Sequence, residues 1–192
     1  MNESKDFHIT TTTDADGTIH FPTHDDNVVQ VISGFPGIGK SWLYNNQDDL
    51  GLKVNDSDSS QFSWLEDGVT RNPDFPNNYI KHIKDQMTKS DVVLVSSHDV
   101  VRDALKDAGI KFITVFPHVD DKEEYIKRFI ERGSKETFVK LIEANWNNWL
   151  ANINNNDDGL HVELNLGEYL SGFILGSHNK DSKLSFSIKG TF

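Results

Sequence analysis

The stretch Gly34-Phe35-Pro36-Gly37-Ile38-Gly39-Lys40-Ser41 constrains this chain more than any other. It fits the phosphate-binding pattern G-x-x-x-x-G-K-[ST] and directly follows the apolar run Val28-Val29-Gln30-Val31-Ile32-Ser33. Such a loop needs a strand to deliver it and a helix that begins at its lysine, because unpaired N–H groups and the positive end of the helix dipole must face the anion. Gly34 and Gly39 allow close approach and backbone angles that a side chain would block, and Pro36 stiffens the turn. The expected cradle is therefore Gly34, Pro36, Gly37, Ile38, Gly39, Lys40, Ser41 and Trp42. Within it, Lys40 reaches the β- and γ-phosphates and the Ser41 hydroxyl ligates Mg²⁺. A glycine-rich turn that fits by accident is the competing reading, and the strand ahead of the loop weighs against it.

With 192 residues the chain has enough length for one sizeable core. No stretch approaches the roughly 20 apolar residues of a membrane helix. Residues 1–26 are polar and rich in Thr and Asp, unlike a signal peptide. The absence of Cys rules out disulfides and thiolate metal sites, and a cytoplasmic setting is expected. A formal charge of -11, from 30 Asp+Glu against 19 Lys+Arg, opposes binding of long nucleic acids. A small phosphorylated ligand remains compatible, since a local cluster of N–H groups, Lys40, arginines and Mg²⁺ outweighs the global charge at short range.

Periodicity predicts an alternation of strands and helices. A short helix runs from Lys40 to about Asn46, then a second strand over Leu50–Val54 and a loop over 61–78 that lies across an acceptor site. Tyr79, Ile80, Ile83 and Met87 share a helical face, and Asp91–Ser97 reads as a strand buried on both sides. Ser97 is the expected cap of a helix with Val100, Val101, Ala104, Leu105 and Ala108 inward. Ile110–Pro117 follows as a strand, and Asp120–Arg132 as a helix with Tyr125, Ile126, Phe129 and Ile130 inward. Phe138, Leu141, Ile142, Trp146, Trp149, Leu150 and Ile153 mark a long amphipathic helix, before a fifth strand at Leu160–Leu164 and a short helix at Glu168–Leu175. The order gives a doubly wound α/β layer: a mainly parallel five-stranded sheet with helices on both faces over 27–176. Residues 1–26 form an extension in which Asp14-Ala15-Asp16-Gly17 signals a small hairpin, and 177–192 a tail or an edge strand that pairs with that hairpin.

Beyond the loop, two places carry candidate chemistry. Asp56 and Asp58, at i and i+2 just past the second strand, lie where open α/β sheets place ligands, although a solvated Asp/Ser turn has the same composition. Arg128 and Arg132, at i and i+4, read either as a solvated face or as part of a lid over 118–137 that closes on a transferring phosphoryl group. His98 and Arg102 face the same end of the sheet and suit an acceptor phosphate, or are ordinary surface residues. His8, His20 and His24 are too loosely spaced to argue a metal site.

With these residues the chain resembles the nucleoside-monophosphate and small-molecule kinase branch of the P-loop family. Asp56-Ser57-Asp58 is similar to the pair in shikimate-kinase-like enzymes; the resemblance implies that Asp56 helps hold Mg²⁺ and Asp58 meets the acceptor as binding group or base. Arg128 and Arg132 match the R-x-x-x-R of adenylate-kinase-like lids. Leu166 and Gly167 fall where such kinases place the adenine of ATP. The third strand departs from the family in ending Ser96-Ser97-His98-Asp99 without the usual carboxylate or glycine turn, so that role falls to Asp56 or to Asp99. The expectation is an Mg-ATP-dependent phosphotransferase acting on a nucleoside or nucleoside monophosphate. Phosphorylation of a sugar or sugar-acid hydroxyl, a nucleotide-binding regulatory module and a hydrolytic NTPase are the rivals.

Overall fold

The computed structural model describes residues 12–13, 19–20, 30–156, 160–178 and 187–189. Thr12–Thr13 (β1) and Ile19–His20 (β2) pair antiparallel as a separate two-stranded ribbon. The turn expected between them and the residues Val28 and Val29 lie outside the described set. The central sheet holds β3 (Gln30–Gly34), β4 (Val54–Asp56), β5 (Val92–Ser96), β6 (Ile113–Pro117), β7 (Leu160–Leu164) and β8 (Ser187–Lys189) in the order β4-β5-β3-β6-β7-β8. The first five are parallel, and β8 joins β7 antiparallel. Among the described residues the last strand thus covers the open edge of β7 and does not pair with the ribbon. An unpaired sheet edge leaves N–H and C=O groups that a further strand satisfies.

Helices α1 (Lys40–Asn45), α2 (Ser60–Ser63), α3 (Asn77–Gln86), α4 (Asp99–Asp107), α5 (Lys122–Glu131), α6 (Glu136–Asn155) and α7 (Leu170–His178) connect the strands. They cover both faces, which is why β5 and β6 read as continuous apolar runs. One buried cluster gathers Ile32, Leu94, Ile113 and Val115 with Leu43 of α1, Phe129 of α5, Trp146 and Leu150 of α6 and Phe173 of α7. A second gathers Val31, Val93 and Val95, which alternate with the first set along β3 and β5, with Tyr79 and Ile83 of α3 and Val101 and Leu105 of α4.

Several boundaries differ from expectation. The second strand begins at Val54, because Leu50 and Leu52 donate their N–H groups back to the Gln47 carbonyl at 3.2 and 3.0 Å and close a turn. Asp56 is therefore on the strand itself. His98, not Ser97, precedes α4 in extended conformation, and it makes no side-chain cap. Asp120 belongs to a 3₁₀ turn, Val119–Asp121, and Arg132 terminates α5 instead of lying within it. Ile130, Leu141 and Val100, expected inward, are exposed at the rims of their stripes.

Candidate functional site

The loop leaves β3 at Gly34 with the Phe35 N–H donated to the Val115 carbonyl at 2.9 Å. Phe35 turns inward and meets Trp146 edge-on at 5.2 Å, which anchors the loop to α6. At Gly37 φ is +84°, and a Cβ there would stand 2.8 Å from the Phe129 ring of α5. Glycine is required on both counts. Lys40 opens α1 and folds back over the loop, its Nζ donating to the carbonyls of Gly34 at 2.6 Å and Phe35 at 3.0 Å. Burial pulls the Lys40 ammonium down from its ordinary value of 10.5 to about 8; Asp56 and Asp58 oppose that fall and the Arg132 guanidinium adds to it.

Ser41 Oγ donates to Asp56 Oδ2 at 3.2 Å. Two hard oxygens meet here, and no cluster of three or more His, Asp or Glu with metal-binding geometry occurs among the described residues. That donor set fits Mg²⁺, which takes one or two protein oxygens and completes its octahedron with phosphates and water. Asp58 lies two residues further on, exposed, its carboxylate accepting from Ser60 N–H at 2.9 Å and Ser60 Oγ at 2.8 Å at the start of α2.

Arg128 of α5 and Arg132 at its end part company. Arg132 donates from Nε to Ser134 Oγ at 2.8 Å and lies over the Phe129 ring at 4.6 Å; it makes no ion pair among the described residues and bears on Lys40. Arg128 pairs with Glu124 at 3.1 Å and sits between the rings of Tyr125 and Tyr169, at 4.8 and 4.6 Å. Its Nη1 is buried without a hydrogen-bond partner. Tyr169 follows the exposed Leu166 and Gly167, and the next residue, Leu170, donates its N–H to the Ile38 carbonyl at 2.8 Å. The loop after β7 is thereby tied to the loop after β3. Trp42 turns its side chain to solvent, so only its backbone is placed to contribute to the cradle.

In the loop after α2, Trp64 opposes Arg71 in an antiparallel bridge, and the Arg71 guanidinium lies 4.0 Å over the indole. His98, exposed just before α4, has its ring edge-on to Trp149 at 5.8 Å. Its pKa is lowered first by desolvation and then by Lys40 and Arg71, against Asp99 and Asp58. Trp64 and Arg71 both belong to the loop over 61–78 expected across an acceptor site, and the Asp67-Gly68 turn brings the two together. Tyr169 had no signal at all. Arg102 is fully buried and bonded to Asn152 of α6, so it belongs to the packing of α4 on α6 and does not reach an acceptor. Asp99 accepts from the Val100 N–H at 2.8 Å in the first turn of α4.

No family model matches the sequence, and the curated proteins contain no match to it. Among solved structures the chain has distant architectural matches. One is a tunicamycin resistance protein of Deinococcus radiodurans, at 13% identity and a TM-score of 0.49 over 83% of this chain and 97% of that one. Another is a gluconokinase from Sinorhizobium meliloti, at 14% identity and 0.45 over 78% and 87%. Among the described residues no helix is long and apolar enough to cross a membrane.

Proposed function

We propose that this protein is a P-loop kinase that transfers the γ-phosphoryl group of ATP to a small acceptor, a nucleoside or nucleoside monophosphate. One observation carries the reading: Lys40 folds over the glycine-rich loop with its Nζ on the Gly34 and Phe35 carbonyls, beside the Ser41–Asp56 pair, and burial holds its ammonium well below the ordinary lysine range. An ammonium desolvated in this way is stabilised by an anion, and a polyphosphate supplies one.

In this reading the loop N–H groups and Lys40 bind the β- and γ-phosphates, and Ser41 and Asp56 would hold Mg²⁺. When bound, Mg²⁺ neutralises charge on the phosphate oxygens. Arg132 stabilises the transferring group, and Arg128 with Tyr169, Leu166 and Gly167 borders the donor base. Asp58 orients the acceptor oxygen and takes the proton of an acceptor hydroxyl. The Arg71 guanidinium, whose charge together with that of Asp58 bears on His98, favours an acceptor that carries an anionic group, hence a monophosphate over a neutral nucleoside. The exposed Asp58 carboxylate keeps a sugar-acid hydroxyl as the second reading.

The test is incubation with ATP, Mg²⁺ and a panel of nucleosides, nucleoside monophosphates, sugars and sugar acids, with products identified by mass and Lys40→Ala as control. A phosphorylated product that needs both acceptor and Lys40 is expected. ATP binding without a product from any acceptor would replace the kinase by a nucleotide-binding module, and phosphate release without acceptor would replace it by a hydrolase.

A further inference from the structure

Asp56 stands on an edge strand of the sheet and Asp58 just past it. Strand β4 has three residues and, among the described residues, pairs with β5 alone. Edge strands with one neighbour and few rungs are the ones that roll and slip. Alternation turns Asn55 and Ser57 away from the face that carries Asp56. On that far side three residues of α3, spaced so that they form one stripe, bind the strand. Gln86 Oε1 accepts from Asn55 Nδ2 at 3.1 Å, His82 Nε2 lies 3.0 Å from Ser57 Oγ, and the Tyr79 hydroxyl donates to the Ser57 carbonyl at 2.6 Å.

The network assigns its own protons. Ser57 Oγ gives its single proton to Asn55 Oδ1, so His82 must be the donor to Ser57 through Nε2. The His82 ring packs on Phe62 of α2 at 4.7 Å, and Asn78 Nδ2 binds the Phe62 carbonyl at 2.9 Å. α3 thus grips the chain before Asp56, between the two carboxylates, and after Asp58. The phenol of Tyr79, its pKa raised by burial, also feels the charges of Asp58 and Asp56, which places it behind both.

We propose that Tyr79, His82 and Gln86 are positioning residues that hold β4 from behind, so that Asp56 meets Ser41 in the geometry that metal-bound nucleotide requires. The proposal rests on the kinase reading. Displacement of a site group by about 1 Å costs up to a hundredfold in catalysis, so a clamp on a three-residue strand has a measurable effect without touching substrate.

The test is titration calorimetry of ADP with and without Mg²⁺ on the full chain and on Tyr79→Phe, His82→Ala and His82→Gln, with thermal unfolding alongside. Tyr79→Phe and His82→Ala are expected to reduce the Mg²⁺-dependent gain in ADP affinity by about fivefold, the worth of one lost hydrogen bond. Their affinity for ADP without Mg²⁺ stays unchanged. His82→Gln, whose amide keeps a donor, recovers the gain to within about twofold. Tyr79→Phe removes one oxygen and preserves packing, so it reports even if His82→Ala fails to fold. An unchanged Mg²⁺-dependent gain in Tyr79→Phe, or a deficit in His82→Gln equal to that of His82→Ala, overturns the clamp. A native chain that binds ADP no better with Mg²⁺ than without overturns the kinase reading, and the clamp with it.

Discussion

Lys40 lends itself to a quantitative prediction, because its charge is costly until a ligand arrives. The folded protein lowers its pKa from 10.5 to about 8, chiefly by burial. A shift of that size corresponds to about 3 kcal/mol against the charged form. Lys40 is only half-buried, so water screens part of this and about 2 kcal/mol is expected at neutral pH. The sign follows from linkage. Between about 8 and 10.5 the unfolded lysine holds a proton that the folded one has released, so this group makes stability rise with pH through that window; below about 8 the full penalty applies. A polyphosphate reverses the shift by supplying negative charge, so binding at pH 8 is expected to take up about half a proton per site, falling to about a tenth at pH 7. Calorimetry of Mg-ADP binding in buffers of different ionisation enthalpy reads that uptake directly. Lys40→Met is expected to stabilise the free protein by about 2 kcal/mol in urea unfolding at pH 7 while abolishing binding. No proton uptake at pH 8, together with a Lys40→Met variant less stable than the native chain, would refute a charge held under strain by burial.

Two further outcomes follow from the same geometry. Asp58→Asn is expected to lower turnover by about 10²- to 10⁴-fold with ADP affinity unchanged, measured by steady-state kinetics and calorimetry; undiminished turnover would remove Asp58 from the chemistry. Gly37→Ala forces a Cβ to within 2.8 Å of Phe129 at a φ of +84°. A loss of about 2 to 4 kcal/mol in urea unfolding is expected, and an unchanged midpoint would show that the loop yields.

The glycine-rich loop after β3 was legible in the sequence because its requirements are local. A strand, glycines at fixed spacing and a lysine that starts a helix are all set within a dozen residues, and β3, the loop and α1 stand where the pattern puts them. The apolar runs of β5 and β6 were legible for a related reason, since burial on both faces leaves no polar alternation. The second strand was misplaced because Leu50 and Leu52 have the apolar character of a strand while their N–H groups close a turn on Gln47.

What the sequence by itself determined was the order of layers and the place of the glycine-rich loop between β3 and α1. The tertiary structure decided where the charged side chains stand around it. It laid Arg71 over Trp64 and Arg132 over Phe129, set Arg128 between two tyrosines and buried Arg102 against Asn152. It also laid β8 on β7 and set α3 behind Asp56 and Asp58. Loop geometry and periodicity act between near neighbours in the chain, so they can be read from residue types. Coulomb interaction and side-chain hydrogen bonding act through space, and only the packed sheet and its helices set those distances.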